Sequence, residues 1–381
     1  MKVVVAIDSL KGSLTSLEAG KAIQAGINLA IPEAEVYVRP LADGGEGTVE
    51  AITLGMGGHT EKVSVTGPLG EPVECVYGIL EDEATAVIEM SGAAGITLVA
   101  EQDRNPMNTT TYGVGEVIKD AIWKGCRHFI IGIGGSATND GGVGMLQALG
   151  YGMMDKSDIP VPFGAKGLRN LAAIDTSHVL PELKDCTFRI ACDVSNPLCG
   201  ENGCSAIYGP QKGASPSMIK QMDAWLSDYA ELAAKSFSKA DSSFPGTGAA
   251  GGLGFAFLTY TDAGLEPGIK IVLEETKLED YIRDADIIVT GEGCLDGQTV
   301  MGKAPIGVAQ IAKKYGKTVL AFSGCVAPDA KACNGAGIDA YFPILRGTVS
   351  LQEAMERNTA EKNMIAAVEQ VFRLIKIMLP K

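Results

Sequence analysis

Carboxylates and lysines recur in this sequence where short apolar runs break into glycine. Asp8, Ser9, Lys11 and Ser13 follow the run Val3–Ile7. A carboxylate and an ammonium on one such loop suit Mg²⁺ plus phosphate, or a base plus an anion anchor; helix capping is the plainer use of the same residues. Asp43-Gly44-Gly45-Glu46-Gly47 sets acids among glycines, a pattern that serves equally as a ligand loop and as an N-cap cluster. Asp193, with Asn196-Pro197 behind it, can orient a hydroxyl, hold a metal or close an Asx-turn. Glu292, Asp296, Gln298, Thr299 and Lys303 crowd the segment 292–303. Gly297 to Ala304 reads G-x-x-x-x-G-K-A, with Ala304 where a P-loop has the Ser or Thr that binds Mg²⁺. The stretch is no P-loop, but a lysine at a helix N-terminus still binds an anion, its charge adding to the free N–H groups.

The densest stretch is 129–144, FIIGIGGSATNDGGVG. An apolar, β-branched run, Phe129 to Ile133, breaks into six glycines within Gly132–Gly144. Ser136, Thr138, Asn139 and Asp140 are interleaved with them. Glycine costs backbone entropy, so a cluster of it after a strand reads as backbone that approaches an anion, with Gly134, Gly135 and their neighbours cradling phosphate oxygens. Gly132-x-Gly134-x-x-Ala137 also fits a dinucleotide fingerprint. Asn139-Asp140-Gly141-Gly142 would interrupt the required helix, however, and no acid ends an obvious following strand about 20 residues on. Hydride chemistry is the weaker reading.

Composition narrows the chemistry further. Among 381 residues there are three histidines, so a Ser–His or Cys–His nucleophile is improbable. The nine cysteines show no C-x-x-C spacing and read as reduced thiols of a cytoplasmic protein. A net charge of −14 without a basic cluster argues against a nucleic-acid partner. The opening MKVVVAIDSLKGS reads as no secretory leader, and no apolar run approaches the roughly 18 residues of a membrane span. Acids at several strand ends, glycine-rich anion loops and lysines together suggest phosphoryl transfer, which needs positioning and charge neutralisation more than covalent chemistry.

The elements that must position these groups are legible in outline. Val3–Ile7 is a strand, Thr15 and Glu18 form a capping-box pattern for a helix over about 17–30, and Glu35–Arg39 is a second strand. That β-α-β unit implies parallel strands. A short helix Thr48–Leu54 follows. Glu61–Val65, Val73–Ile79 and Ala84–Glu89 alternate as antiparallel strands do. Phe188–Cys192 reads as a strand and Pro216–Ala240 as a helix. Asp286–Val289, Thr318–Phe322 and Ala340–Pro343 are strands, with a helix Pro305–Tyr315 and a mostly helical end, Leu351–Met378. The expected fold is α/β: a doubly wound Rossmann/flavodoxin-like domain of residues 1–65 plus 281–381, with an α/β domain of mixed sheet, 66–280, inserted. Ligands of doubly wound sheets bind at the carboxyl ends of strands, which places the expected site in the cleft between the domains.

In order along the chain, Asp8-Ser9-x-Lys11-Gly12, Pro40-Leu41-Ala42-Asp43-Gly44-Gly45-Glu46-Gly47, Gly132-x-Gly134-Gly135-Ser136-Ala137-Thr138-Asn139-Asp140-Gly141-Gly142, Asp193-Val194-x-Asn196-Pro197-Leu198 and Gly291-Glu292-Gly293-x-x-Asp296-x-Gln298-Thr299 with Gly302-Lys303 resemble the bacterial glycerate kinase family. The likeness covers essentially the whole chain. It implies ATP- and Mg²⁺-dependent phosphorylation of D-glycerate, with the 2-hydroxyl as acceptor and 2-phosphoglycerate as product; the residues alone leave 3-phosphoglycerate open. On that resemblance, Asp193 or Asp8 deprotonates the glycerate hydroxyl, and Glu292 and Asp296 hold Mg²⁺. Lys11 and Lys303 neutralise the phosphoryl group or the glycerate carboxylate. Ser9, Asp43, Gly44, Gly45, the Gly134–Asp140 loop, Asn196, Gln298 and Thr299 contact substrate or phosphate. A nicotinamide-dependent oxidoreductase and a non-catalytic nucleotide sensor remain the readings from other classes. Monomer and homodimer are both compatible with the sequence.

Overall fold

Val3, Val4 and Val5 are fully buried along the strand Lys2–Val5, so both faces of this strand must be covered. The next element is fixed locally. Thr15 Oγ1 accepts from Glu18 N–H at 3.3 Å, and Glu18 Oε2 accepts from Thr15 N–H at 3.0 Å, starting the helix Ser16–Ala30. The chain returns as the strand Glu35–Val38, parallel to the first. In the computed structural model, which describes residues 1–42, 47–82 and 84–378, five parallel strands form one sheet. Their spatial order is Ala340–Pro343, Thr318–Val326, Ile287–Leu295, Lys2–Val5, Glu35–Val38. Read from the other edge and numbered within this unit, that is 2-1-3-4-5, the flavodoxin-like doubly wound order. Asp43, Gly44, Gly45 and Glu46 lie outside the described residues.

Strand alternation decides which helix covers which face. Val3, Val5, Val289 and Phe322 pack with Ile23 and Ile27 of Ser16–Ala30 and with Met364, Val368 and Phe372 of the last helix, Arg357–Met378. The helix Ala304–Lys314 packs against the strands Ile287–Leu295 and Thr318–Val326, whose remaining residues Ile288, Val319 and Ala321 are also fully buried.

The second sheet has six strands in the order Ala263–Glu266, Thr187–Ala191, His128–Gly132, Thr85–Glu89, Pro72–Ile79, His59–Thr66. The first four are parallel, and the last two form an antiparallel hairpin at the edge, giving a mixed sheet. Phe129 and Phe188, partners in register, stack at 4.8 Å in its core.

The chain divides into one unit of Met1–Asp43, Glu50–Met56 and Ile269–Lys381, and another of Gly44–Val49 and Gly57–Gly268. These limits differ from the 65/66 and 280/281 junctions expected from sequence, for local reasons. All eight residues of His59–Thr66 pair with Pro72–Ile79, which carries them into the second unit. Residues 269–280 stay with the first, where Glu279 accepts from the Tyr315 hydroxyl at 2.9 Å. The helix Pro216–Ala234 also ends before Ala240, and the C-terminal helical stretch breaks at Glu356. Among the described residues no helix is long and apolar enough to cross a membrane.

Candidate active site

The carboxyl end of the first sheet gathers most of the strand-end groups. Asp8 N–H donates to Gly291 O at 3.0 Å, extending the pairing of Lys2–Val5 with Ile287–Leu295 and holding Asp8 beside Glu292. Gly291 makes that geometry possible: its φ is +156°, and a Cβ there would lie 1.8 Å from Phe322 O. Asp8, Ser9, Lys11, Glu292, Asp296 and Lys303 line one cavity of about 570 Å³. Ser13 lines it too, its Oγ buried without a hydrogen-bond partner. The rest of the wall is apolar and comes from Leu10, Ile344, Leu345, Leu351, Ala354 and Met355.

The polar wall is organised around Lys303. This residue is the N-cap of Ala304–Lys314, with Pro305 in the first turn. Its Nζ lies 3.3 Å from Glu292 Oε2 and 3.6 Å from Asp296 Oδ1. Thr299 Oγ1 donates to Glu292 Oε1 at 2.7 Å, and Ser323 Oγ donates to Glu292 O at 2.8 Å. Asp296 Oδ1 accepts the N–H of Gln298 at 2.9 Å and of Thr299 at 3.0 Å. Burial pushes the Glu292 carboxyl up, against the pull of Thr299 and Lys303. Burial works the same way on Asp296, yet the Gln298 N–H and the Lys303 charge hold that carboxyl below its usual range. Burial also opposes the charge on Lys303, but both carboxylates keep its ammonium above its ordinary value. Thr299 is fully buried and therefore orients Glu292 rather than meeting a ligand; Gln298 contributes its backbone.

Glu292 and Asp296 are hard oxygen donors already bridged by one cation, the Lys303 ammonium, so the donor set fits Mg²⁺. Among the described residues no cluster of three or more metal-ligating side chains occurs, which leaves further ligands to phosphate oxygens and water. The cavity holds no histidine. Cys294 and Cys325 face each other in register there, but burial, reinforced by Cys325, pushes the Cys294 thiol up to about 11, leaving it neutral and weakly nucleophilic at pH 7.

The glycine loop and Asp193 belong to the second unit, where they leave one sheet end together. Gly132 pairs in register with Ala191, so Gly134 and Asp193 each stand two residues beyond that pair. Asp193 Oδ1 accepts from Gly268 N–H at 3.0 Å. Gly134 and Gly135 are exposed; Ser136, Thr138, Asn139 and Asp140 are buried. Only the first part of the loop is therefore open to the expected cradle role. Asp140 accepts from Thr111 N–H at 2.8 Å, Thr111 Oγ1 at 2.9 Å, Gly142 N–H at 3.2 Å and Gly144 N–H at 3.3 Å. It braces the loop from inside and turns away from any phosphate. Asn139 Nδ2 donates to Ser205 Oγ at 2.8 Å. Asn196 is occupied likewise, donating to Asn202 O at 2.9 Å and accepting from the Tyr208 hydroxyl at 2.6 Å.

The Asp140→Ala change orphans several buried donors at once. It is expected to cost about 3 kcal/mol of stability, measured by urea unfolding; a loss below about 1 kcal/mol would refute the bracing role.

Sequence reasoning passed over Lys212, which is 2% exposed and donates to Ser136 Oγ and Thr138 O. A lysine in Gly209-Pro210-Gln211-Lys212-Gly213 carries the signature of a surface turn. It also passed over the apolar wall, most of whose residues, Ile344 to Met355, lie near the far end of the chain.

Residues 3–376 match the family described as the glycerate kinase family. The chain is 47% identical over 375 residues to a glycerate kinase of Haemophilus influenzae, covering 98% of this chain and 99% of that protein. It is 47% identical over 354 residues to a glycerate 2-kinase of Escherichia coli K12, covering 93% of each. The crystal structure of a glycerate kinase 2 candidate from Salmonella typhimurium LT2 superposes with a TM-score of 0.91 at 44% identity, covering 99% of this chain and 98% of that one.

Proposed function

Because the chain belongs to the glycerate kinase family, we propose that it transfers the γ-phosphoryl group of ATP to the 2-hydroxyl of D-glycerate, giving 2-phosphoglycerate and ADP. The observation that carries this reading is the first unit's cavity, with acids and lysines on one wall and aliphatic side chains on the other. Glycerate is a three-carbon polar acid and gains nothing from Leu10, Ile344, Leu351 and Met355. A nucleoside does, and its phosphates find Lys11, Lys303 and the Ser13 hydroxyl on the polar side.

The roles then divide by unit. In the first, Lys11 and Lys303 neutralise the charge of the transferring group, and Ser9 steadies the Asp8 loop. Glu292 and Asp296 would hold Mg²⁺, with Asp8 as their neighbour; when bound, the ion offsets negative charge on the phosphate oxygens. In the second, Gly134, Gly135 and Ser136 hold an oxyanion, and Asp193 orients the glycerate hydroxyl and takes its proton. The developing charge meets fixed donors and cations, the kind of catalysis that phosphoryl transfer requires. The helix that a dinucleotide fingerprint requires right after the strand is also missing there: Gly132 is followed by a long loop, and the next helix, Val143–Ala148, begins only after it.

Phosphorus NMR of the product formed from ATP, Mg²⁺ and D-glycerate tests the reading. A 2-phosphoglycerate signal is expected. A 3-phosphoglycerate signal overturns the acceptor assignment, and no phosphoglycerate from folded, ATP-binding protein overturns the reaction.

A further inference from the structure

Lys212 has no place in the roles above, yet its surroundings are built. It closes the turn Pro210–Lys212, and Gly213 behind it has φ +89°, where a Cβ would lie 2.2 Å from Arg104 O. The turn is thus pressed against the fold and drives the lysine inward. Its Nζ donates to Ser136 Oγ at 2.7 Å and to Thr138 O at 2.7 Å. Among the described residues it makes no ion pair. The titratable groups that feel its charge are Asp140 and Cys204. The Asp140 oxygens are taken by Thr111, Gly142 and Gly144. The Cys204 thiol is pushed by burial up to about 11 and is neutral at pH 7. The ammonium is therefore a buried charge that no contacting carboxylate balances, an arrangement that is costly until an anion arrives.

Ser136 carries the consequence outward. A serine hydroxyl has a single proton to donate. Because Ser136 Oγ accepts from Lys212, that proton is left for another acceptor, and the adjoining Gly134 and Gly135 are exposed. We propose that Lys212 is the buried cation of an oxyanion site on the Gly134–Ser136 loop, and that it positions Ser136 to donate to a carboxylate or phosphate oxygen. Lys212 acts through Ser136 and is a positioning residue. The inference deepens the reading above, which supplies D-glycerate as the ligand, but the site can be tested without turnover.

Burial holds Lys212 down to about 8. Oxyanion affinity of the native protein therefore falls as pH rises through about 8, as the ammonium loses its proton. Stability of the ligand-free fold moves the opposite way. The folded state binds fewer protons than the unfolded chain between about 8 and the ordinary lysine value of about 10.4, so stability rises across that window.

The experiment is calorimetric titration of the full chain with orthophosphate, D-glycerate and 2-phosphoglycerate, repeated from pH 6.5 to 9.5. Lys212→Met is expected to weaken oxyanion binding about 10- to 100-fold, and Ser136→Ala to weaken it less. Lys212→Arg is expected to restore binding and flatten its pH dependence. Loss confined to D-glycerate assigns the site to a carboxylate; loss confined to orthophosphate assigns it to a phosphoryl group. Unchanged binding in folded Lys212→Met overturns the proposal. If that variant does not fold, unchanged binding in Ser136→Ala together with pH-independent affinity in the native protein overturns it. A protein that loses orthophosphate binding on Lys212→Met but forms no phosphoglycerate in its native form retains this site and refutes the glycerate reading instead.

Discussion

Replacing Asp193 by asparagine is expected to lower kcat for D-glycerate about a hundredfold or more, with the fold intact. The substitution isolates charge from structure. Asp193 Oδ1 accepts the Gly268 N–H at 3.0 Å, and asparagine keeps an oxygen in that place. What disappears is the carboxylate that would take the hydroxyl proton. The thermal midpoint should move by no more than a degree or two, in line with a surface change of about 0.5 kcal/mol. Asp193→Ala adds the loss of the backbone bond, so comparing the two separates bracing from chemistry. Steady-state kinetics with a denaturation curve for each variant checks this. A kcat within a few-fold of the parent for Asp193→Asn would move the base role to Asp8, the other strand-end acid, and Asp8→Asn would then be the variant to measure.

Much of this site was legible because strand ends write themselves locally. A β-branched run that stops at an acid and a glycine marks the carboxyl end of a buried strand, and Asp8 was found that way; Glu292 was read likewise, but its strand runs on to Leu295. Asp8, Lys11, Glu292, Asp296 and Lys303 share one cavity although they lie far apart in sequence. The α/β class and most elements were equally local, as with the Thr15–Glu18 capping box. The spatial order of the strands was not, since Lys2–Val5 has Ile287–Leu295 as a neighbour across more than two hundred and fifty intervening positions, and no local pattern records that pairing.

The glycine loop marks where local reading stops. Its composition gave a correct sense of close backbone approach, but composition does not distinguish approach to a ligand from approach to the protein's own interior. Gly134 and Gly135 face outward, while Asp140 and its glycine neighbours serve the core. Lys212 was hidden for the complementary reason. Lysine is nearly always solvated, and only the fold reveals that Ser136 and Thr138 O are its partners.

Replacing Lys303 by methionine is expected to cut kcat/KM for ATP about a hundredfold or more and to shift the acidic limb of the pH profile upward. Methionine preserves bulk but removes the ammonium that lies 3.3 Å from Glu292 and 3.6 Å from Asp296. Those carboxylates would then face each other without compensation, and neighbouring like charges resist joint ionisation. Glu292 is already raised by burial, and Lys303 is one of the groups holding it back, so its value rises further in the variant. The sign follows from the form that works. On the proposed role Glu292 is ionised when it holds Mg²⁺, so activity is expected to fail as pH falls through the Glu292 value, and to fail at a higher pH in the variant. Lys303→Arg keeps the charge at the helix N-cap and should recover part of the rate and return the limb toward its original position. Were Lys303 only a clamp on the loop 292–299, the methionine variant would lose thermal stability while its KM for ATP and its acidic limb stayed where they were. Rates measured from pH 5 to 8 at saturating Mg²⁺, beside a melting curve, decide between a charge that serves the phosphates and one that serves the fold.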